Sequence, residues 1–212
     1  MRYHIYKSSP KKALLIADSQ ARHLTFGNIN ILSVPGALTK DVSPFIPPPG
    51  KFDLIVLLIG GNDLYNGYHP SETSPNVVAL RIADLAERVL NVTKKVFVIA
   101  VPPRFPTAHE QEFLQDHELI RHLAVNQKLE KLSKEARWKY RGLSEHVYSV
   151  AHVSDRDNVH LNSEGISQIR VLLKTKVFYG DYSEQLASEG HPKVSECNRH
   201  SGCTCGSFFG RH

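Results

Sequence analysis

Three short stretches of the chain carry side chains able to work on a carbonyl carbon. Ser19 stands directly after the apolar run Ala13–Ala17 and before Gln20-Ala21-Arg22-His23-Leu24, which reads as a helix start. A serine on a strand-to-helix turn has its hydroxyl beside backbone N–H groups that no helix bond occupies, so a negative oxygen formed there is stabilised. The commoner role of serine in that place is a plain N-cap. Asp157-Asn158-Val159-His160 precedes the last helical stretch. A nucleophilic serine needs a base and the base needs an orienting anion, which an Asp three residues before a His on a tight loop can supply by folding back. With twelve histidines in the chain, the same spacing also arises by chance in an ordinary surface loop. Asn62, in Gly60-Gly61-Asn62-Asp63, offers a carboxamide donor at a glycine-flanked strand end, although a plain turn has that composition too.

These residues act together only if the fold gathers them. Strand-like apolar runs occupy residues 13–17, 28–34, 53–59 and 95–101, with a less apolar fifth at 146–153. The third, DLIVLLI, is apolar at every position after the first, the pattern of a strand covered on both faces. Helical periodicity runs between them: Val78, Ile82, Leu85 and Val89 within 75–92; Phe113, Ile120, Leu123 and Leu132 within 109–138, read as one helix or two; Ile166, Ile169, Leu172, Leu173 and Val177 within 162–178, with Asn162 as its N-cap. Alternating strands and helices with doubly buried strands imply an α/β fold built on a parallel sheet. Ligands of such sheets bind beyond the carboxyl ends of the strands, so Asp18-Ser19, Gly36 and Gly60 to Asp63 are expected on one rim.

In order and placement these stretches resemble the SGNH (GDSL-like) hydrolase superfamily. Ile16-Ala17-Asp18-Ser19 is similar to its Gly-Asp-Ser nucleophile block, with Ala17 in place of the usual glycine. Gly36 in Val34-Pro35-Gly36-Ala37 resembles the glycine of the second block, and Gly60-Gly61-Asn62-Asp63 the Gly-x-Asn-Asp block. Asp157 to Gly165 resembles the Asp-x-x-His block with the Asn and Gly that often follow it. The resemblance implies a three-layer α/β/α sandwich on a flavodoxin-like five-stranded parallel sheet. It implies that Ser19 is the nucleophile, His160 the base and Asp157 its orienting anion. The N–H groups of Ser19 and Gly36 and the Asn62 side chain would form the oxyanion hole. Neither metal nor organic cofactor is implied, and the partner is a small-molecule or lipid ester. The 64–74 loop supplies Tyr65, Tyr68 and His69 but no long apolar run, so a short acyl group is expected. Asp18 and Asp63 read as structural acceptors, while Arg22 and Arg156, near the blocks, could attract an anionic substrate but read first as solvated arginines on turns.

Composition narrows the alternatives. The chain of 212 residues is 41% apolar, enough for one packed core, and its longest apolar run falls well short of the ~20 residues of a membrane span. Residues 1–12 are a basic extension without the apolar stretch of a secretory signal, so a cytoplasmic location is expected. The domain is expected to span 13–180, and 181–212 to be a flexible tail rich in Ser, Gly and His. All three cysteines lie in that tail, as Cys197-x-x-His200-x-x-Cys203-x-Cys205. Those are zinc-ligand types, yet the intervals are tighter than those of fingers or knuckles and no apolar residues surround them, so no metal is predicted. The rival to an esterase is a non-catalytic interaction or nucleic-acid-binding module. SGNH-like domains occur in RNA-binding proteins of the Oskar family, where catalytic residues are missing, and as esterase domains in proteins of some LINE-type retrotransposons. A formal charge of +5 is modest for nucleic-acid affinity, and the presence of serine, histidine and aspartate favours the enzyme.

Overall fold

The computed structural model describes residues 12–21, 23–26, 29–66, 69–104, 120–143 and 159–178. In chain order its elements are β1 (Ala13–Ala17), β2 (Asn30–Ser33), β3 (Leu54–Leu58), the single turn α1 (Gly61–Leu64) and the paired dipeptides β4 (Tyr65–Asn66) and β5 (His69–Pro70). There follow α2 (Pro75–Leu90), β6 (Lys95–Ile99), α3 (Arg121–Ser133), β7 (Lys139–Arg141) and α4 (Ser163–Leu172), which runs on as a π-helical stretch, Leu173–Phe178. The chain divides into two units, Met1–Leu173 and Lys174–His212, and every strand among the described residues lies in the first.

The five main strands pair in the order β2-β1-β3-β6-β7, and every pairing is parallel. This is the flavodoxin-like arrangement, in which the order reverses at β1 and leaves a crevice between the carboxyl ends of β1 and β3. The three-layer α/β/α architecture follows from strand chemistry. Leu14, Ile16, Ile55, Leu57, Val96 and Val98 share one face of the sheet and join a core with Val78, Ile82, Leu85 and Val89 of α2 and Val125 and Leu129 of α3. The intervening Leu15, Val56, Leu58, Phe97 and Ile99 point the other way and are just as completely buried, so both faces are covered. Fully burying one such side chain is worth ~1.5–3 kcal/mol, which holds the strand ends in fixed register.

Most boundaries follow the periodicity. The first strand is the run 13–17 itself, strands two and three are trimmed by one or two residues at each end of their expected ranges, and the fourth starts at Lys95 as expected and ends two residues early, where turn chemistry takes over. Ser74 accepts from the Val77 N–H and caps α2, and Asn162 accepts from the Glu164 and Gly165 N–H groups and caps α4. The expected fifth strand, 146–153, lies outside the described residues, among which the fifth strand of the sheet is β7, Lys139–Arg141. A three-residue strand with charge at both ends leaves no apolar run to read, yet charged, short strands are how sheets close their edges. Here the Lys95 ammonium and the Arg141 guanidinium stand 5.2 and 5.1 Å from the centre of the buried Phe97 ring. The expected 109–138 helix appears as α3, with 109–119 outside the described residues and the chain turning at Lys134 towards Trp138. Residues 1–11 and the tail 181–212 with its cysteines also lie outside them. No helix among the described residues is long and apolar enough to cross a membrane.

Candidate active site

The rim of the sheet is built from four turns laced to one another. The first follows β1. Asp18 continues the ladder by donating its N–H to the Leu58 carbonyl, at 3.2 Å, and its carboxylate accepts the Gln20 N–H at 3.0 Å. That local bond closes the 3-10 turn Ser19–Ala21 and leaves Ser19 half-buried at its start. The Ser33 hydroxyl donates to the Asp18 carbonyl at 3.0 Å. In a trans peptide the C=O and the next N–H point in opposite directions, so the Ser19 N–H is turned away from Ser33. Burial pushes the Asp18 carboxyl above its usual range, while the Gln20 N–H, the Arg104 guanidinium and His160 draw it back down.

The second and third turns follow β2 and β3. Gly36 is exposed and has φ of 75°, a left-handed conformation that a side chain resists. Gly60 has φ of 112°, and a Cβ built there would stand 2.7 Å from Ile82 Cδ1, so both backbone and packing demand glycine. This turn delivers Asn62 and Asp63 to the segment that follows Gly36. Asn62 Nδ2 donates to the Ala37 carbonyl at 3.1 Å. The buried Asp63 carboxylate accepts both the N–H and the hydroxyl of Thr39, each at 2.8 Å, and faces Arg81 at 3.7 Å. The reading of Asp63 as a structural acceptor matches these contacts.

Arg104, three residues after the Ala100-Val101 end of the fourth strand run, enters here without a sequence signal beyond its position. It is 5% exposed, its Nη2 donates to Asn62 Oδ1 at 2.6 Å, and its guanidinium lies 5.6 Å from the centre of the Tyr65 ring. A carboxamide has one acceptor and two N–H donors. Arg104 takes the acceptor and Ala37 takes one donor, which fixes which end of the Asn62 amide is nitrogen and which way the plane lies. The sequence reading weighed Arg22 and Arg156 instead, and both lie outside the described residues.

The fourth turn carries His160, half-buried just before α4. Gln20 ties it to the first: Gln20 Nε2 donates to the Val159 carbonyl at 2.7 Å, and Gln20 Oε1 accepts the Leu161 N–H at 3.2 Å. The structure thus brings the segments of Ser19 and His160 together through the residue after Ser19, and those of Gly36 and Asn62 through Ala37. Asp157 lies outside the described residues. Gln20, read only as part of a helix start, is the second contributor that sequence spacing missed. Chemically, the rim presents a hydroxyl and an oriented carboxamide after the adjacent strands β1 and β3, with an imidazole on the segment that Gln20 binds, and these are the groups an acyl transfer uses.

The model of the GDSL-like lipase/acylhydrolase family matches residues 10–166. No curated protein sequence matches the chain. Among solved structures, the aryl esterase of M. smegmatis is similar with a TM-score of 0.61 and 15% identity, over 79% of this chain and 98% of that one. A catalytic mutant of Axe2, an acetylxylan esterase from Geobacillus stearothermophilus, superposes with a TM-score of 0.59 at 14% identity, over 80% and 95% of the two chains. Est24, a carbohydrate acetylesterase from Sinorhizobium meliloti, gives a TM-score of 0.57 at 15% identity, over 79% and 98%. At such identities these likenesses speak to the fold.

Proposed function

The chain belongs to the GDSL-like lipase/acylhydrolase family and is a carboxylic ester hydrolase, and from that premise we propose that it cleaves short acyl esters through Ser19, His160 and Asp157. Ser19 Oγ adds to the acyl carbon as its proton passes to His160, and the carbonyl π pair becomes an oxyanion. The N–H groups of Ser19 and Gly36 and the second N–H of Asn62 receive that charge. Collapse expels the alcohol, protonated by His160, and leaves an acyl-serine. Water, activated by His160, then releases the acid and restores the hydroxyl. Asp157 keeps the imidazole in the tautomer this requires.

The observation that carries this reading is the Asn62 carboxamide, held at both ends by Arg104 and Ala37 in the turn after β3, the strand paired with the one that Ser19 follows. A donor oriented before substrate arrives needs no rearrangement when charge develops, which is the source of oxyanion-hole catalysis. The short-acyl preference is supported by the acetyl and aryl esterases among the similar structures, and by the antiparallel pairing of β4 with β5 within the 64–74 segment. The test is turnover of p-nitrophenyl acetate together with labelling by a fluorophosphonate probe. Both are expected in the folded wild type, and Ser19→Ala should remove both. Wild type that is folded yet unlabelled at Ser19 would favour the binding-module alternative.

A further inference from the structure

We propose that Gln20 is a positioning residue that sets the approach of His160 to Ser19; this rests on reading those two residues as base and nucleophile. The Gln20 side chain is 4% exposed and spans 141 positions of sequence to bond the peptide groups on either side of His160. One carboxamide donates to the Val159 carbonyl and accepts from the Leu161 N–H, pairing with the histidine segment as the backbone of a neighbouring strand would. Two bonds from one rigid plane fix both the distance and the rotation of that segment; one bond would fix only the distance. Beyond it, Asn162 binds the Glu164 and Gly165 N–H groups at 3.0 Å each, so the histidine sits between two anchored points. Because Gln20 adjoins Ser19 in the chain, the nucleophile and the clamp on the base share the same 3-10 turn. A shift of Ser19 carries the His160 segment with it, which keeps the proton-transfer distance constant while the turn itself moves.

An apolar side chain of similar length would fill the same space without specifying register, and displacements of ~1 Å at a reacting pair cost about 10²-fold in rate. Gln20→Met is therefore expected to lower kcat for p-nitrophenyl acetate, and the rate of fluorophosphonate labelling at Ser19, by roughly 10- to 100-fold, with KM within about twofold. Gln20→Glu keeps the shape and the acceptor for Leu161 but turns a carboxylate oxygen towards the Val159 carbonyl. Its labelling rate relative to wild type should fall as pH rises through the titration of the new carboxyl group, where Gln20→Met shows a constant ratio. That pH signature separates positioning from simple support of the fold, and Gln20→Glu alone decides the matter if Gln20→Met does not fold. Wild type that labels, with folded Gln20→Met labelling at the same rate or Gln20→Glu showing a pH-flat ratio, refutes the role of Gln20 and leaves the hydrolase reading standing. Wild type that does not label overturns both.

Discussion

Replacing Asn62 separates the chemistry of the rim from its stability, because its carboxamide serves the two through different atoms. In Asn62→Ala the reacting oxyanion loses a donor, a loss that typically costs ~10²–10³ in kcat, or about 2.7–4 kcal/mol of transition-state stabilisation. The fold also loses contacts: the buried Arg104 guanidinium gives up an acceptor at 2.6 Å and the Ala37 carbonyl its donor at 3.1 Å. Removing an acceptor from a buried charged donor costs ~1–3 kcal/mol, so the alanine variant should be both slow and less stable. Asn62→Asp keeps an oxygen for Arg104, now as an ion pair, and discards both N–H groups. With its second oxygen set against the Ala37 carbonyl, it should recover only part of the stability lost in Asn62→Ala. Its kcat should fall by more than about 10³-fold, since a carboxylate repels the developing charge as well as failing to bond it. Steady-state hydrolysis of p-nitrophenyl acetate with urea unfolding of the same preparations gives both quantities. An aspartate variant with kcat within tenfold of wild type, or a loss expressed in KM alone, refutes the oxyanion role.

Two further outcomes follow from packing and burial. Gly60→Ala should destabilise the protein by about 2–4 kcal/mol, combining a disfavoured positive φ with a Cβ pressed against Ile82; a urea midpoint within error of wild type contradicts that packing. Burial holds the His122 imidazole down to about 4 against an ordinary value near 6.5. The unfolded chain therefore binds more protons between those values, so the contribution is complete above pH 6.5 and is lost as pH falls towards 4, at most ~3 kcal/mol. In a series of urea unfolding curves from pH 7.5 to 4, His122→Gln should flatten that decline, and parallel curves for the two proteins would show that His122 is not its source.

What could be read from sequence was whatever local chemistry writes into consecutive residues. The strand ALLIA, the α2 stripe and the Asn162 cap each announce themselves within one element, and all three recur in the structure. The placement of Ser19, Gly36 and Asn62 at the ends of β1, β2 and β3 followed from the rule for parallel sheets. The strand Lys139–Arg141 escaped because its residues are chosen for an edge, where charge replaces hydrophobic alternation. Gln20 and Arg104 escaped for another reason: each is a single polar residue whose meaning comes from a partner 141 or 42 positions away, and no spacing within the chain encodes such a bond. A usable hint for Arg104 was its place just past the fourth strand, on the edge where the other site residues were already expected.

The grip of Asp63 on Thr39 reaches further than holding one turn. With both the amide and the hydroxyl of Thr39 bound, and Ala37 fastened from Asn62, the stretch after Gly36 is ordered by the protein's own contacts. An incoming ester then spends none of its affinity on recruiting that stretch, and small substrates with few contacts lose least by it. Discrimination among alcohols must in turn come from surfaces beyond this fastened stretch, which meets every ester with the same fixed backbone.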